Sequence, residues 1–204
     1  MRVIAGSARG RPLVAPKSET RPTSDKVKGA IFSMLEAEAM RRGHAPQEHD
    51  GAWLFAAAHA WPRWLDLFAG SGALGIEALS RGATAVDFVE REPLARAALL
   101  ANLQRAGVKD RANLLRGSSE TLFAAPDRRY DVVLLDPPYA AVGPEQVLAR
   151  VEQAGLANPG GIVVLEHARQ SPAPARVGVL HLLRTRSHGR TSISLYEPET
   201  TTGA

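Results

Sequence analysis

Four consecutive residues, Asp136-Pro137-Pro138-Tyr139, have types and an order that suit chemistry on an amino group. The two prolines fix φ and remove backbone donors, so the Asp136 carboxylate and the Pro137 carbonyl would form a rigid pair of acceptors. Such a pair can accept both hydrogens of an exocyclic amine and aim its lone pair at an electrophilic methyl group, while Tyr139 stacks on the base. The alternative is a turn that ends a strand, with Tyr139 packing as an ordinary aromatic residue.

A glycine-rich segment precedes this motif. Residues 70–75 read Gly-Ser-Gly-Ala-Leu-Gly, which matches G-x-G-x-x-G between an apolar run and a helical pattern, and Glu90 ends the next apolar run. Glycines let a backbone approach a ligand closely, and a carboxylate at the end of the second strand can accept hydrogen bonds from ribose hydroxyls. The segment therefore predicts a nucleotide-cofactor site, although a tight turn without a ligand would also favour glycine.

Asp66 indicates which of two cofactors, a nicotinamide dinucleotide or S-adenosylmethionine, this loop would bind. It lies inside an apolar run just before the glycines, where a buried carboxylate is unfavourable unless it meets a partner. The diphosphate of a nicotinamide cofactor would be repelled by this charge, whereas the ammonium and sulfonium groups of S-adenosylmethionine would be attracted. We therefore expect S-adenosylmethionine, and Asp66 can also cap a neighbouring backbone amide, a role compatible with the first.

The elements that must position these residues alternate between strand and helix patterns. Apolar runs at 64–69, 85–89, 131–135 and 162–165, with a weaker one at 113–115, predict buried strands, and helical patterns at 73–81, 93–106 and 145–154 separate them. With a C-terminal hairpin at 179–186 and 191–197, this predicts an α/β fold with a doubly wound, mostly parallel, seven-stranded Rossmann-like sheet.

The remaining segments are expected to be appendages of this sheet. Residues 1–43 form an N-terminal extension, with short strands or a hairpin before Pro16 and a helix that starts after an N-cap at 23–25 and ends before Gly43. Residues 44–62 are interpreted as an insertion with some helical character and no assigned role. Residues 63–198 form the catalytic domain, and 199–204 a flexible tail.

Composition restricts the class of protein. The 204 residues suffice for one domain. The 25 basic against 21 acidic side chains suggest a polyanionic partner, although many soluble proteins share such a balance. The absence of cysteine excludes disulfides and thiolate metal sites, the six histidines lack a compact ligand spacing, and no apolar run approaches the roughly 20 residues of a membrane span. We expect a cytoplasmic monomer without a metal.

Basic residues concentrate near both ends of the chain, where they are candidates for contacts with RNA phosphates. The N-terminal candidates are Arg9, Arg11, Arg21 and Lys26, and the weaker C-terminal ones are Arg184, Arg186 and Arg190. Arg21 can alternatively reach the cofactor pocket, because Arg-Pro-Thr stands at a helix start. A solvated basic face without a partner is the other interpretation of either group.

Together these residues resemble the RsmD family of bacterial methyltransferases, which modify the N2 of a guanine in 16S ribosomal RNA. The resemblance is carried by residues 2–6, 9–11, 21–23, 25–28, 31–35, 66–82, 136–139 and 189–196. It implies that residues 136–139 grip a flipped target base in ribosomal RNA or a small-subunit assembly intermediate. It also implies cofactor contacts from Asp66, Gly70, Gly72 and Glu90. The further candidates for cofactor contacts are Phe68, Ala69, Arg91, Ser118, Arg21 and Thr23.

Two features depart from the family pattern. Ser118-Ser119 replaces the usual acidic or amide residue that meets the cofactor adenine, so we expect the Ser118 hydroxyl or a backbone group there, and segment 44–62 is longer than usual.

Three other functions stay open at this point. They are an amino methyltransferase for DNA adenine or cytosine, disfavoured by the lack of a target-recognition domain, an NAD-dependent oxidoreductase and a non-catalytic RNA-binding module.

Overall fold

Strands and helices alternate along most of the chain in the computed structural model, which describes residues 1–16, 24–49, 51–115, 117–124, 128–137 and 143–199. The helices in these ranges are α1 (Asp25–Arg41), α2 (Ala56–Ala60), α3 (Ala73–Ser80), α4 (Pro93–Ala106), α5 (Ser119–Phe123) and α6 (Pro144–Gln153). The strands are β1 (Gln47–His49), β2 (Ala52–Leu54), β3 (Arg63–Asp66), β4 (Ala85–Phe88), β5 (Ala112–Leu114), β6 (Tyr130–Leu135), β7 (Ala157–Ala168), β8 (Arg176–Val177), β9 (Leu180–His188) and β10 (Thr191–Pro198).

The central sheet has the order β5-β4-β3-β6-β7-β10-β9-β8. The first five strands are parallel, and β10, β9 and β8 continue the sheet in antiparallel fashion. The predicted α/β class, with a mostly parallel sheet and a C-terminal hairpin, is confirmed. The predicted number of seven strands is wrong, because the two-residue strand β8 adds an eighth, and so short a strand leaves no alternating pattern in the sequence.

Helices pack on both faces of this sheet, as a doubly wound fold requires. Neighbouring residues of β3 point to opposite faces, so Trp64 joins an apolar cluster with α1, α3 and α4, whereas Leu65 joins a second cluster with α6. We call these the first face and the second face of the sheet. The side chains of Val164 and Ile193 lie in the first-face cluster, and those of Leu165 and Val163 lie in the second.

The segment before β3 differs in detail from its predicted character. Helix α1 starts where expected, with the Ser24 side chain accepting a hydrogen bond from the Val27 amide at 3.2 Å. Residues 44–62 contain the β1–β2 hairpin as well as the short helix α2, so helical character describes only part of this segment. The three-residue strands are too short to show a period.

The N-terminal strands expected before Pro16 are reduced to one bridge between Arg2 and Pro12. None of the helices in the described ranges is both long and apolar enough to cross a bilayer. The tail after Glu199 lies outside those ranges.

Candidate active site

The carboxyl ends of β3, β4 and β6 meet at one edge of the sheet. Asp66, the last residue of β3, pairs in register with Phe88 on β4 and with Leu134 on β6. Asp136 follows β6 directly, and Glu90 follows β4 by two residues. Ligands of open α/β sheets bind at this edge, so the fold brings the three predicted acidic residues to the expected crevice.

The glycine loop between β3 and α3 adopts a conformation that needs glycine. Gly72 has φ 80°, and a Cβ at this position would lie 2.2 Å from Cδ1 of Leu99. Gly70 has φ 52°, and a Cβ there would meet no atom within 4 Å. The loop is therefore fixed on its inner side by packing against α4 and leaves space beside Gly70, where a ligand can approach the backbone.

Asp66 is buried, with 1% of its surface exposed, and its Oδ2 accepts a hydrogen bond from the Gly75 amide at 2.9 Å. The capping role expected as one possibility for this residue is thus present. Burial raises the pKa of Asp66 to about 7, and the negative charges of Asp136 and Glu90 contribute to that rise. Asp66 therefore lies in a dry environment dominated by negative charge, which a cationic ligand would relieve.

Glu90 braces the glycine loop. Its Oε2 accepts a hydrogen bond from the Gly70 amide at 2.8 Å, and its Oε1 accepts one from the Glu92 amide at 2.7 Å. A carboxylate has about four acceptor positions, so both oxygens retain capacity for further donors such as ribose hydroxyls. The two backbone bonds hold the carboxylate in place without using up that capacity.

A small open pocket lies beside Pro137, at the carboxyl ends of β6 and β7. It is lined by Pro137, Gly143, Pro144, Leu165, Glu166, His167, Ala168 and Ser171. The sequence interpretation misses Glu166 and treats His167 as an ordinary histidine. The signal that could have found both is their position directly after an apolar run, at the carboxyl end of a predicted parallel strand.

The other predicted cofactor residues fall into three groups. Phe68 is half-buried against the second-face cluster, and Ala69 is buried in the first. Arg91 is exposed beside Glu90, and Ser118 is the N-cap of α5, where its hydroxyl lowers the pKa of Glu120. The predicted residues that lie outside the described ranges are Arg21, Thr23, Pro138 and Tyr139.

The predicted RNA-binding residues do not form one patch. Arg9 lies in the turn at the C-terminal end of α3, where the Ser7 amide donates to the Ser80 carbonyl, and the eight residues of α3 place about 12 Å between that turn and the glycine loop. Arg11 donates from Nη1 to the Arg105 carbonyl near the end of α4. These N-terminal arginines therefore flank the sheet rather than the crevice.

The C-terminal arginines are closer to the crevice. Thr191 pairs with Ala168 at the carboxyl end of β7, so the β9–β10 turn with exposed Arg190 lies at the same edge of the sheet as the acidic residues. Arg184 and Arg186 are exposed on β9, and Lys26 is exposed in the first turn of α1. Within the described ranges no group of three His, Cys, Asp or Glu side chains is arranged to hold a metal ion.

Solved structures with this architecture define the class of protein. A hypothetical protein of Thermus thermophilus has a TM-score of 0.75 at 28% identity, covering 97% of this chain and 99% of its own. An RNA methyltransferase from Salinibacter ruber, in complex with S-adenosyl-L-homocysteine, has a TM-score of 0.58 at 18% identity, covering 90% of this chain and 98% of its own, which is a likeness of fold. The chain has the class I methyltransferase fold.

Sequence comparison identifies the family within that class. The model of the family described as Conserved hypothetical protein 95 matches residues 1–197. YlbH of Bacillus subtilis is 35% identical over 201 residues, covering 97% of this chain and 98% of the relative. Ribosomal RNA small subunit methyltransferase D of Haemophilus influenzae is 32% identical over 201 residues, covering 97% and 93%. The chain belongs to this family, and its resemblance to the RsmD family is confirmed.

Proposed function

We propose that the protein transfers a methyl group from S-adenosylmethionine to the exocyclic N2 of a guanine in 16S ribosomal RNA. The observation that carries this proposal is the position of Asp136 and Pro137 directly beside Asp66 and the glycine loop, at the ends of adjacent strands. A cofactor held by Asp66 and an amine held by Asp136 would then meet. Relatives that are named as methyltransferases of small-subunit ribosomal RNA support RNA as the substrate.

The residues of the crevice fit S-adenosylmethionine better than a dinucleotide. Asp66, Glu90 and Asp136 concentrate negative charge, which suits a molecule that carries an ammonium and a sulfonium group, whereas a diphosphate would be repelled. The space beside Gly70 allows close approach to the loop, and Glu90 has acceptors left for the ribose. When bound, S-adenosylmethionine supplies a methyl group activated by the positive sulfur. Phe68, Ala69, Gly72, Arg91 and Ser118 complete the proposed cofactor contacts.

Asp136 and Pro137 would orient the substrate amine. Their carboxylate and carbonyl oxygens accept its two hydrogens, which directs the nitrogen lone pair toward the methyl carbon for in-line displacement. The proton that the methylated nitrogen releases can leave through the Asp136 carboxylate. Catalysis in this scheme comes from positioning and hydrogen bonding, without a covalent enzyme intermediate.

A guanine within a folded RNA must leave its stack before it can reach Asp136. This base flipping costs a few kcal/mol, which a stacking partner in the pocket would offset in part. Tyr139 is proposed as that partner, and with Pro138 it directly follows Asp136 and Pro137 in the sequence. The basic residues proposed to hold the RNA backbone are Arg9, Arg11, Arg21, Lys26, Arg186 and Arg190.

The division of the chain follows from these roles. We propose that the extension 1–43 contributes RNA contacts and supports the cofactor loop, and that residues 63–198 carry out catalysis. The extension is bound tightly to the core, since the amides of Ile4 and Ala5 donate to Glu77 at 2.8 Å and 3.0 Å. We further propose that the protein acts as a cytoplasmic monomer on ribosomal RNA or an assembling small subunit.

The proposal is tested by transfer of labelled methyl groups from S-adenosylmethionine to unmethylated small-subunit ribosomal RNA, offered both naked and as assembled subunits. We expect a single N2-methylguanine after the modified nucleotide is mapped, and none with an Asp136→Ala variant that still binds the cofactor. Methylation of DNA adenine or cytosine instead, or transfer to neither form of the RNA, would contradict the proposed substrate.

A further inference from the structure

Glu166 lies one strand away from Asp136 at the same level of the sheet. The parallel strands β6 and β7 pair Leu135 with Leu165, so the next residues along the two segments are Asp136, directly after β6, and Glu166 on β7. Adjacent strands are about 4.8 Å apart. The backbone of β7 therefore brings a second acidic side chain beside the residue that is proposed to hold the substrate amine.

The Glu166 side chain points to the same face of the sheet as Asp66. Glu166 lies opposite Ile193 in the β7–β10 ladder and two residues after Val164, and both of these apolar side chains belong to the first-face cluster. Asp66 follows Trp64, of the same cluster, by two residues on β3. Since β6 lies between β3 and β7, the order of acidic residues along the edge is Asp66, Asp136, Glu166.

Glu166 also lines the pocket next to Pro137. Only 6% of its surface is exposed. A buried carboxylate can accept hydrogen bonds, and it disfavours a ligand that presents acceptors to it.

We propose that Glu166 is a specificity-determining residue that accepts the N1–H of the target guanine while Asp136 and Pro137 hold its N2 amino group. This inference rests on the proposed function and names the group that selects its base. Guanine presents the N1–H and N2 donors side by side. Adenine and cytosine also carry an exocyclic amine, but the adjacent ring nitrogen is an acceptor, which the Glu166 carboxylate would repel. Asp136 thus serves the chemistry of any amine, and Glu166 selects guanine.

A base analogue tests this selection directly. Once the methylated nucleotide is mapped, small-subunit RNA is prepared by ligation with either guanine or 2,6-diaminopurine at that position, since diaminopurine keeps the N2 amine but has an acceptor at N1. For the unaltered enzyme we expect kcat/KM to be about 10- to 100-fold higher on guanine, as one well-made contact to a base edge discriminates. Equal rates on both RNAs would overturn the inference without any variant.

The Glu166→Gln variant sharpens the test, because its amide can donate to the N1 acceptor of diaminopurine. We expect a lower kcat/KM on guanine and a preference reduced to within about threefold, with cofactor affinity unchanged in calorimetry as evidence of folding. The matched control is Glu145→Gln, an exposed carboxylate in the first turn of α6 near the same pocket, which should keep the full preference.

The outcomes separate this inference from the proposed function. If Glu166→Gln binds cofactor and keeps the full preference for guanine, Glu166 does not select the base, although the proposed function stands. If the unaltered enzyme methylates no guanine of the small-subunit RNA, the proposed function itself fails.

Discussion

Two buried carboxylates close together in the chain have opposite surroundings. Glu77 on α3 is 0% exposed and accepts hydrogen bonds from the amides of Ile4 and Ala5 and from Nε of Arg81 at 2.9 Å, with Nζ of Lys28 at 3.3 Å. Asp66 at the end of β3 is 1% exposed and accepts the Gly75 amide, and the charges that act on it are those of Asp136 and Glu90.

The difference separates a structural charge from a functional one. Glu77 is compensated by two cations and two amides, and it ties the N-terminal extension to the helix after the glycine loop. The surroundings of Asp66 disfavour its ionised form, which raises its pKa to about 7. Asp66 lacks the compensation that the equally buried Glu77 receives. Such an unfavourable charge at the carboxyl ends of the strands indicates that a ligand binds there.

The largest effect on activity is expected at Asp136, which lies with Asp66 in the candidate active site. Asp136→Ala should reduce kcat/KM for methyl transfer by about 10³-fold or more, because the acceptor that orients the amine is lost. Cofactor affinity should change by less than about threefold in calorimetry, because the substitution removes no contact to the cofactor. An equal loss of transfer and cofactor binding would mean that Asp136 holds the cofactor instead.

Glu77 should show the reverse pattern. Glu77→Gln leaves Lys28 buried without its main counter-charge, and losing one partner of a buried pair typically costs about 3–5 kcal/mol of unfolding free energy. Urea denaturation measures this change. Adding Lys28→Met to Glu77→Gln should recover part of the loss. If Glu77→Gln costs less than about 1 kcal/mol, the network is not the structural anchor that the comparison assigns to it.

Asp66→Asn should separate stability from function. We expect cofactor affinity to fall about 10- to 100-fold, as for loss of a charged hydrogen-bond partner, while stability at about pH 8 stays equal or rises because an unfavourable buried charge is removed. Calorimetry and urea denaturation on the same protein measure both quantities. A large loss of stability would place Asp66 with Glu77, as a structural residue.

The pH dependence follows from the raised pKa of Asp66, about 7 in the folded protein against an ordinary value of 3.8. The folded state binds this proton more tightly than the unfolded state, so its contribution to stability is present below about pH 4 and is lost as the pH rises through about 7. Affinity for a cationic cofactor should change in the other direction and increase between about pH 6 and 8. Both slopes should be weaker in Asp66→Asn, and an unchanged affinity slope would assign the titration to another group.

An element or a site residue can be predicted from the sequence when the pattern that indicates it lies within a short segment of the chain. The sequence predicts helix α4 at its observed bounds, because Pro93 starts it and Gly107 ends it. The meeting of Asp66, Glu90 and Asp136 is predictable as well, since all three end parallel strands. The short strands β1, β2 and β8 are not, because elements of two or three residues depend on tertiary packing.

Long-range pairing explains why the contacts between these segments could not be predicted from the sequence. The anchoring of Ile4 on Glu77 and the pairing of Leu135 with Leu165, which sets Glu166 beside Asp136, join segments far apart in the chain. No local pattern encodes these registers. A residue type shows what a side chain can do, and only the fold shows which charges surround it.

The smallest effect is expected among the arginines, where the same contrast between engaged and exposed charges applies. Arg186→Ala with Arg190→Ala should weaken RNA binding and flatten the plot of log affinity against log salt by about 0.7–0.9 per lost phosphate contact, because both lie toward the crevice edge. Arg9→Ala with Arg11→Ala should change that slope less. Arg11 is already bonded to the Arg105 carbonyl, so its loss should cost about 1 kcal/mol of stability instead. Filter binding across a salt series measures the slopes. A larger change from the Arg9 and Arg11 substitutions would indicate that the RNA binds along the flank of α3 instead.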